Sequence, residues 1–181
     1  GADVGIASMP PKVLKRMGVD FDTLRAIKPD IILTTQTAFG HRGPWADRGG
    51  FDGLGQVMSG SAFMSGTPDQ PARSATPFVD YSTAVLGAFG TLAALYHRRT
   101  SGEGQHVQAS LLGSGVASFS PLLIEQAILG LNRQPTGTRG QTSGPTDIFK
   151  TRDGHVITQV LGSGLFANVA PAPGTEHRPP N

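Results

Sequence analysis

Apolar and polar positions follow two alternating periods along the chain, and each switch between them marks a change from helix to strand. Val4 and Ile6 predict a short buried strand within residues 1–7. Pro10-Pro11 opens a short helix over residues 12–17, which Gly18 terminates. Phe21, Leu24 and Ile27 recur at helical spacing over residues 20–27 before Pro29-Asp30 breaks the pattern, and Ile31-Ile32-Leu33-Thr34-Thr35 reads as a β-rich run. A helix leading through a tight turn into an apolar strand is half of a βαβ unit. Residues 39–66 show no sustained period and carry glycines at 40, 43, 49, 50, 53, 55, 60 and 66. A connection of that length lines a site or contains a helix, for which Leu54, Val57 and Met58 supply the apolar positions. Residues 67–77 include Pro68, Pro71 and Pro77 and predict an exposed loop.

The strongest helical period follows over residues 84–99, with Val85, Phe89, Leu92, Ala93 and Tyr96 on one stripe. Asp80 stands where an N-cap belongs, Arg98 and Arg99 suit the negative helix end, and Gly102 and Gly104 stop the helix. Val107, Ala109 and Leu111 then alternate, predicting a half-buried strand over residues 105–112. A second helix is expected over residues 113–131, interrupted or kinked at Ser120-Pro121. After a polar loop over 133–146, residues 147–150 and 155–161 predict a hairpin around Arg152-Asp153-Gly154.

Composition narrows the class. The 181 residues include 25 Gly and 14 Pro, with 15% charged residues against the roughly 25% usual in soluble domains. That excludes a coiled coil, and glycines without a three-residue period exclude collagen. Ordered apolar patterns and a net charge of only +2 argue against disorder. No cysteine is present, which excludes disulfides and thiol catalysis and fits a cytoplasmic location. The start, Gly1-Ala2-Asp3-Val4, has no basic or apolar signal pattern, and no uninterrupted apolar run reaches the roughly 18–20 residues of a membrane span. Without a basic run, no nucleic-acid partner is expected. There is no G-x-x-x-x-G-K-[ST], G-x-S-x-G or H-E-x-x-H, and the histidines at 41, 97, 106, 155 and 177 lack metal-ligand spacing, so no metal is expected. His97 and His106 are read as surface or packing residues.

The informative stretch is Phe39-Gly40-His41-Arg42-Gly43-Pro44-Trp45-Ala46-Asp47-Arg48, then Gly50-Phe51-Asp52, then Val79-Asp80, and finally Arg98-Arg99-Thr100-Ser101-Gly102-Glu103-Gly104-Gln105. On these residues, over most of the chain up to about Phe166, the sequence resembles the class III coenzyme A transferases, the family of formyl-CoA and carnitine CoA transferases. That family carries G-F-G-x-x-G-P-x-x-x-R-x-G-[YF]-D, an aspartate opening an apolar helix, and then R-x-x-[ST]-G-x-G-Q.

The resemblance implies an α/β fold: a piece of a Rossmann-like large domain with the active-site helix over residues 1–131, the start of a small domain over 132–166, and an unrelated, disordered tail over 167–181. Both ends of the family fold are expected to be missing. The resemblance further implies transfer of coenzyme A between an acyl-CoA and a carboxylic acid, with Asp80 as nucleophile and coenzyme A as substrate, not as a resident cofactor. A carboxylate that attacks a thioester gives a mixed anhydride and a thiolate, and the thiolate then forms an aspartyl-CoA thioester. Arg16 matches a basic position of the family and is expected to pair with a phosphate of CoA, with a solvated helix residue as its plain alternative. Gly40, Gly43, Phe51 and Asp52 are expected to shape the pocket. The aromatic and the arginine that family members carry in I-E-N-F-R-P-G are replaced here by Met9 and Pro10 in Ile6-Ala7-Ser8-Met9-Pro10-Pro11-Lys12. Related α-methylacyl-CoA racemases place a histidine where Phe51 stands, and a phenyl ring cannot exchange a proton, so transfer is favoured over racemisation. Intact members form interlocked homodimers, a ring that is not carried over to a chain lacking both ends. The alternative is a remnant or interaction protein that keeps the fold without turnover.

Overall fold

The computed structural model describes residues 1–169. Its centre is a three-stranded parallel sheet in the order β1 (Val4–Ala7), β2 (Ile32–Thr37) and β3 (His106–Ser110). β1 and β2 pair from Val4 opposite Ile32 to Ala7 opposite Thr35, and β2 and β3 pair from Leu33 opposite His106 to Thr37 opposite Ser110. β2 is the middle strand, and Ile32, Leu33, Thr34 and Thr35 on it are all buried. A strand covered on both faces loses the alternation of a half-exposed one, which is why it reads as one continuous run. β1 is an edge strand, and Ile6 on it is 72% exposed, so the expected buried strand is only half-covered.

Between β1 and β2 run α1 (Pro11–Met17), closed by Gly18 in the left-handed conformation, and α2 (Phe21–Ile27), whose N-cap Asp20 accepts from Thr23 N–H at 3.2 Å. The glycine-rich segment holds two short helices, α3 (Asp52–Met58) and α4 (Ser61–Met64), where the sequence predicts one.

α5 (Phe78–Ser101) is the longest element, and it starts six residues earlier than its apolar period suggests. Its contact with the sheet reverses the expected stripe. Val79, Thr83, Gly87 and Ala94 are buried, whereas Val85, Phe89, Leu92 and Tyr96 are each at least 65% exposed. The small residues let the helix approach closely. A Cβ at Gly87 would lie 2.5 Å from Gln36 Nε2, and one at Gly90 would lie 2.7 Å from Val107 Cγ1. Thr91 Oγ1 and Thr34 Oγ1, 2.5 Å apart, seal the same contact.

α6 (Leu111–Leu129) continues from β3 with Ser110 as its N-cap, accepting from Gly113 N–H at 3.0 Å. It runs through Pro121 as one helix, so the expected interruption is absent. Thr83 Oγ1 donates to Ser114 Oγ at 2.8 Å and joins α5 to α6. By length and composition alone α5 and α6 could each cross a membrane, a signal hidden in the sequence because small and polar residues break their apolar runs. α5 nonetheless lies along the sheet as a core helix of an α/β unit does.

An antiparallel hairpin, β4 (Thr146–Lys150) and β5 (His155–Gln159), follows as predicted, and α7 (Ser163–Val169) ends the described part. Residues 167–169, placed by the sequence in a disordered tail, are therefore helical. The rest of that tail, 170–181, lies outside the described residues.

Candidate functional site around Asp80

The first turn of α5 follows Pro77, which has no side-chain group that could cap it. Asp80 is not the N-cap but the third helical residue, and the capping function comes from 27 residues upstream. The carboxylate of Asp52, only 6% exposed, accepts through Oδ1 from Val79 N–H at 2.9 Å and Asp80 N–H at 3.3 Å. Its Oδ2 accepts from Gln56 Nε2 at 2.5 Å. Gln56, fully buried one turn along α3, accepts through Oε1 from Ser74 N–H at 2.8 Å. A buried anion at a helix start meets both the unpaired N–H groups and the positive end of the helix dipole.

With the backbone of Asp80 held from behind, its side chain faces a cavity of about 360 Å³. Ser8, Pro10, Gln36, Arg48 and Phe51 contribute to the walls. The cavity lies beyond the carboxyl end of β2, where ligands of parallel α/β sheets bind. The Asp80 carboxyl is held above the ordinary carboxylate range, first by the partial loss of water at the cavity wall and then by the charge of Asp52.

Arg48 brings a cation to this wall. Its guanidinium lies 4.8 Å from the centroid of the Trp45 ring, and Trp45 meets Phe39 edge-on at 5.1 Å. Lys12 N–H donates to Asp47 at 2.9 Å and ties this loop to α1.

The structure brings together only some of the residues singled out in the sequence. Asp80 and Phe51 line the cavity, Phe51 being 84% exposed. Asp52 stands behind Asp80, away from the cavity. Gly40 and Gly43 have φ of 83° and 92°, a turn requirement, and neither lines the cavity. Arg16 is exposed in the last turn of α1 and likewise does not line it. The sequence reading missed Arg48, Gln36 and Gln56. Arg48 occupies the arginine position of the quoted motif and was legible there, whereas Gln56 carries no signal beyond its spacing of four from Asp52.

Two histidines meet on another part of the sheet. His106 Nε2 is 2.9 Å from Thr35 Oγ1, and its ring stacks on Phe21 at 5.2 Å and meets His41 edge-on at 4.8 Å. Burial, and then the His41 charge, push His106 down to about 4, with Asp22 opposing. His106 is thus a packing residue. Among the described residues no three His, Cys, Asp or Glu side chains come together as a metal site.

The model of CoA-transferase family III matches residues 1–180, a range that continues past Phe166. The chain is 33% identical over 166 residues to a succinate–glutarate CoA-transferase of Agrobacterium fabrum, covering 91% of this chain and 42% of that protein. It is 30% identical to a succinyl-CoA–D-citramalate CoA-transferase of Chloroflexus aurantiacus, covering 95% and 43%. A CaiB/BaiF family protein from Brucella suis superposes with a TM-score of 0.80 at 28% identity, covering 93% of this chain and 45% of that one. The chain thus spans less than half the length of these relatives.

Proposed function

Because the chain belongs to CoA-transferase family III, we propose that it carries the nucleophile of a coenzyme A transfer between an acyl-CoA and a carboxylic acid, and that the nucleophile is Asp80. One observation supports this above the others: the Asp80 carboxylate opens onto the cavity while its own backbone N–H is held by a buried carboxylate.

The ionised Asp80 attacks the thioester carbonyl, the C–S bond breaks, and the products are a mixed anhydride and the CoA thiolate. The thiolate attacks the aspartyl carbonyl of the anhydride and expels the first acid as its carboxylate, leaving an aspartyl-CoA thioester. A second carboxylate attacks that thioester and releases the thiolate again. The thiolate then attacks the incoming acyl carbonyl, which frees Asp80 and forms the new acyl-CoA. No proton is gained or lost over the cycle. A carboxyl held partly out of water is a better nucleophile at each attack.

The relatives' names pair succinate or succinyl-CoA with other short diacids, which favours dicarboxylic acids as the substrates here. Arg48 is the cation on the cavity wall and offers a partner for the second carboxylate. Arg16, outside the wall, is left to the phosphates of CoA, and Gly40 and Gly43 to shaping the loop between them. Phe51 on the same wall supplies no base for α-proton exchange, so transfer is preferred over racemisation.

Incubating the folded chain with succinyl-CoA and trapping with hydroxylamine tests the reading. A mass change on Asp80 is expected, absent in Asp80→Asn. A folded chain that gives no adduct overturns it in favour of a non-catalytic relative of the same fold.

A further inference from the structure

We infer that Asp52 is a positioning residue for Asp80: together with Gln56 it forms a buried polar relay that sets the backbone and the electrostatic environment of the nucleophile, and it does not contact substrate. The inference rests on the reading of Asp80 as nucleophile and deepens it.

Asp52 is expected at the pocket from its motif, yet both of its oxygens are engaged inside the protein. One receives the N–H groups of Val79 and Asp80, the other the Gln56 amide. Gln56 in turn receives Ser74 N–H, so the relay grips the chain on both sides of Pro77. The loop that delivers Asp80 to the cavity is held at Ser74 before the helix and at Val79 and Asp80 within it. Neither Asp52 nor Gln56 can relax into water, since they are 6% and 0% exposed. Gly55, between them on α3, leaves room for the approach, because a Cβ there would lie 2.6 Å from Val79 Cγ1. A shift of this turn by even an ångström would take the carboxylate out of line with a bound carbonyl.

The relay also has a charge. The positive end of a 24-residue helix draws protons off a carboxylate in its first turn and weakens it as a nucleophile. A buried anion on the same N–H groups counters that pull. The charged groups facing Asp80 are Asp52 from α3 and Arg48 from the loop wall, while Ser8 and Gln36 on the other walls are uncharged. Removing the Asp52 charge while keeping its shape therefore leaves Asp80 easier to ionise and less reactive.

The test uses the full chain and three variants, Asp52→Asn, Asp52→Ala and Gln56→Met. Amide exchange at Val79 and Asp80 should accelerate by about 10-fold or more in Asp52→Ala, as capped donors become free. Exchange at Ser74 should accelerate in Gln56→Met, which leaves Asp52 in place and covers the case that Asp52→Ala does not fold. The carboxyl NMR titration of Asp80 should move to lower pH in Asp52→Asn. The yield of trapped adduct from succinyl-CoA should fall by about 10-fold or more in both Asp52 variants, with the dissociation constant for the acyl-CoA unchanged. Unaltered exchange and titration in the folded variants would overturn the inference. So would weakened acyl-CoA binding with Asp80 unperturbed, which would make Asp52 a substrate contact. If the unsubstituted chain forms no adduct, the nucleophile reading fails, while exchange and titration still decide whether the relay positions Asp80.

Discussion

The two ends of α5 are fastened by opposite charges, each suited to the dipole at its end, but in different surroundings. At the start, Asp52 and Gln56 are shut away from water and every polar atom named on them has a partner in the protein. At the finish, Arg98 is 18% exposed and donates to the carbonyls of Asp3 at 3.3 Å and Asp30 at 3.1 Å, with the two carboxylates at 3.6 Å. Lys28 joins the same group at 2.6 Å from Asp30. Water and salt compete with the second cluster and not with the first. The end that carries Asp80 is therefore the one whose geometry is set by unscreened hydrogen bonds, while the other fastens the turns that lead into β1 and β2.

Asp52→Ala should break the first fastening with the largest effect, about 2–4 kcal/mol or about 5–15 °C in Tm, because two capped N–H groups and the Gln56 amide lose their acceptor in the interior. Thermal melts at low and high salt should show the same deficit. Arg98→Met keeps the side-chain bulk and should cost about 1 kcal/mol, with part of the loss disappearing at high salt. Equal salt dependence at the two ends would break the comparison. Asp80→Asn should raise Tm slightly at neutral pH. The folded Asp80 binds its proton more tightly than the unfolded one, so it adds stability at low pH that is lost as pH rises through its folded pKa. The gain from Asn should therefore vanish below the ordinary carboxylate range, which melts across pH 3–7 would follow. Lys28→Ala, removing a half-buried partner from the water-accessible cluster at the far end, should have the smallest effect, a Tm shift of no more than about 1–2 °C.

Much of the frame was legible in the chain. Ile31 to Thr35 reads as a buried strand because side chains on both faces are covered, and the hairpin reads from its turn. The inner face of α5 was not legible. A 3.6-residue apolar period picks out the large side chains Val85, Phe89, Leu92 and Tyr96, but close approach to a parallel sheet selects small ones, here Gly87, Gly90 and Ala94. Asp80 was legible as a residue at a helix start. Its partner was not, because a cap supplied from 27 residues away leaves no local spacing to find. Asp52 stood out through its motif, and the motif says that the position matters without saying whether the side chain faces the substrate or the protein.

The bare face of Gly87 against Gln36 has one more consequence. Gln36 lines the cavity in front of Asp80, and its amide occupies the place where a side chain on residue 87 would begin. Any larger residue at 87 displaces that amide and reshapes the chamber without entering it. The shape of the chamber in front of Asp80 is thus open to variation from a position outside its lining, independently of the residues that hold Asp80 itself.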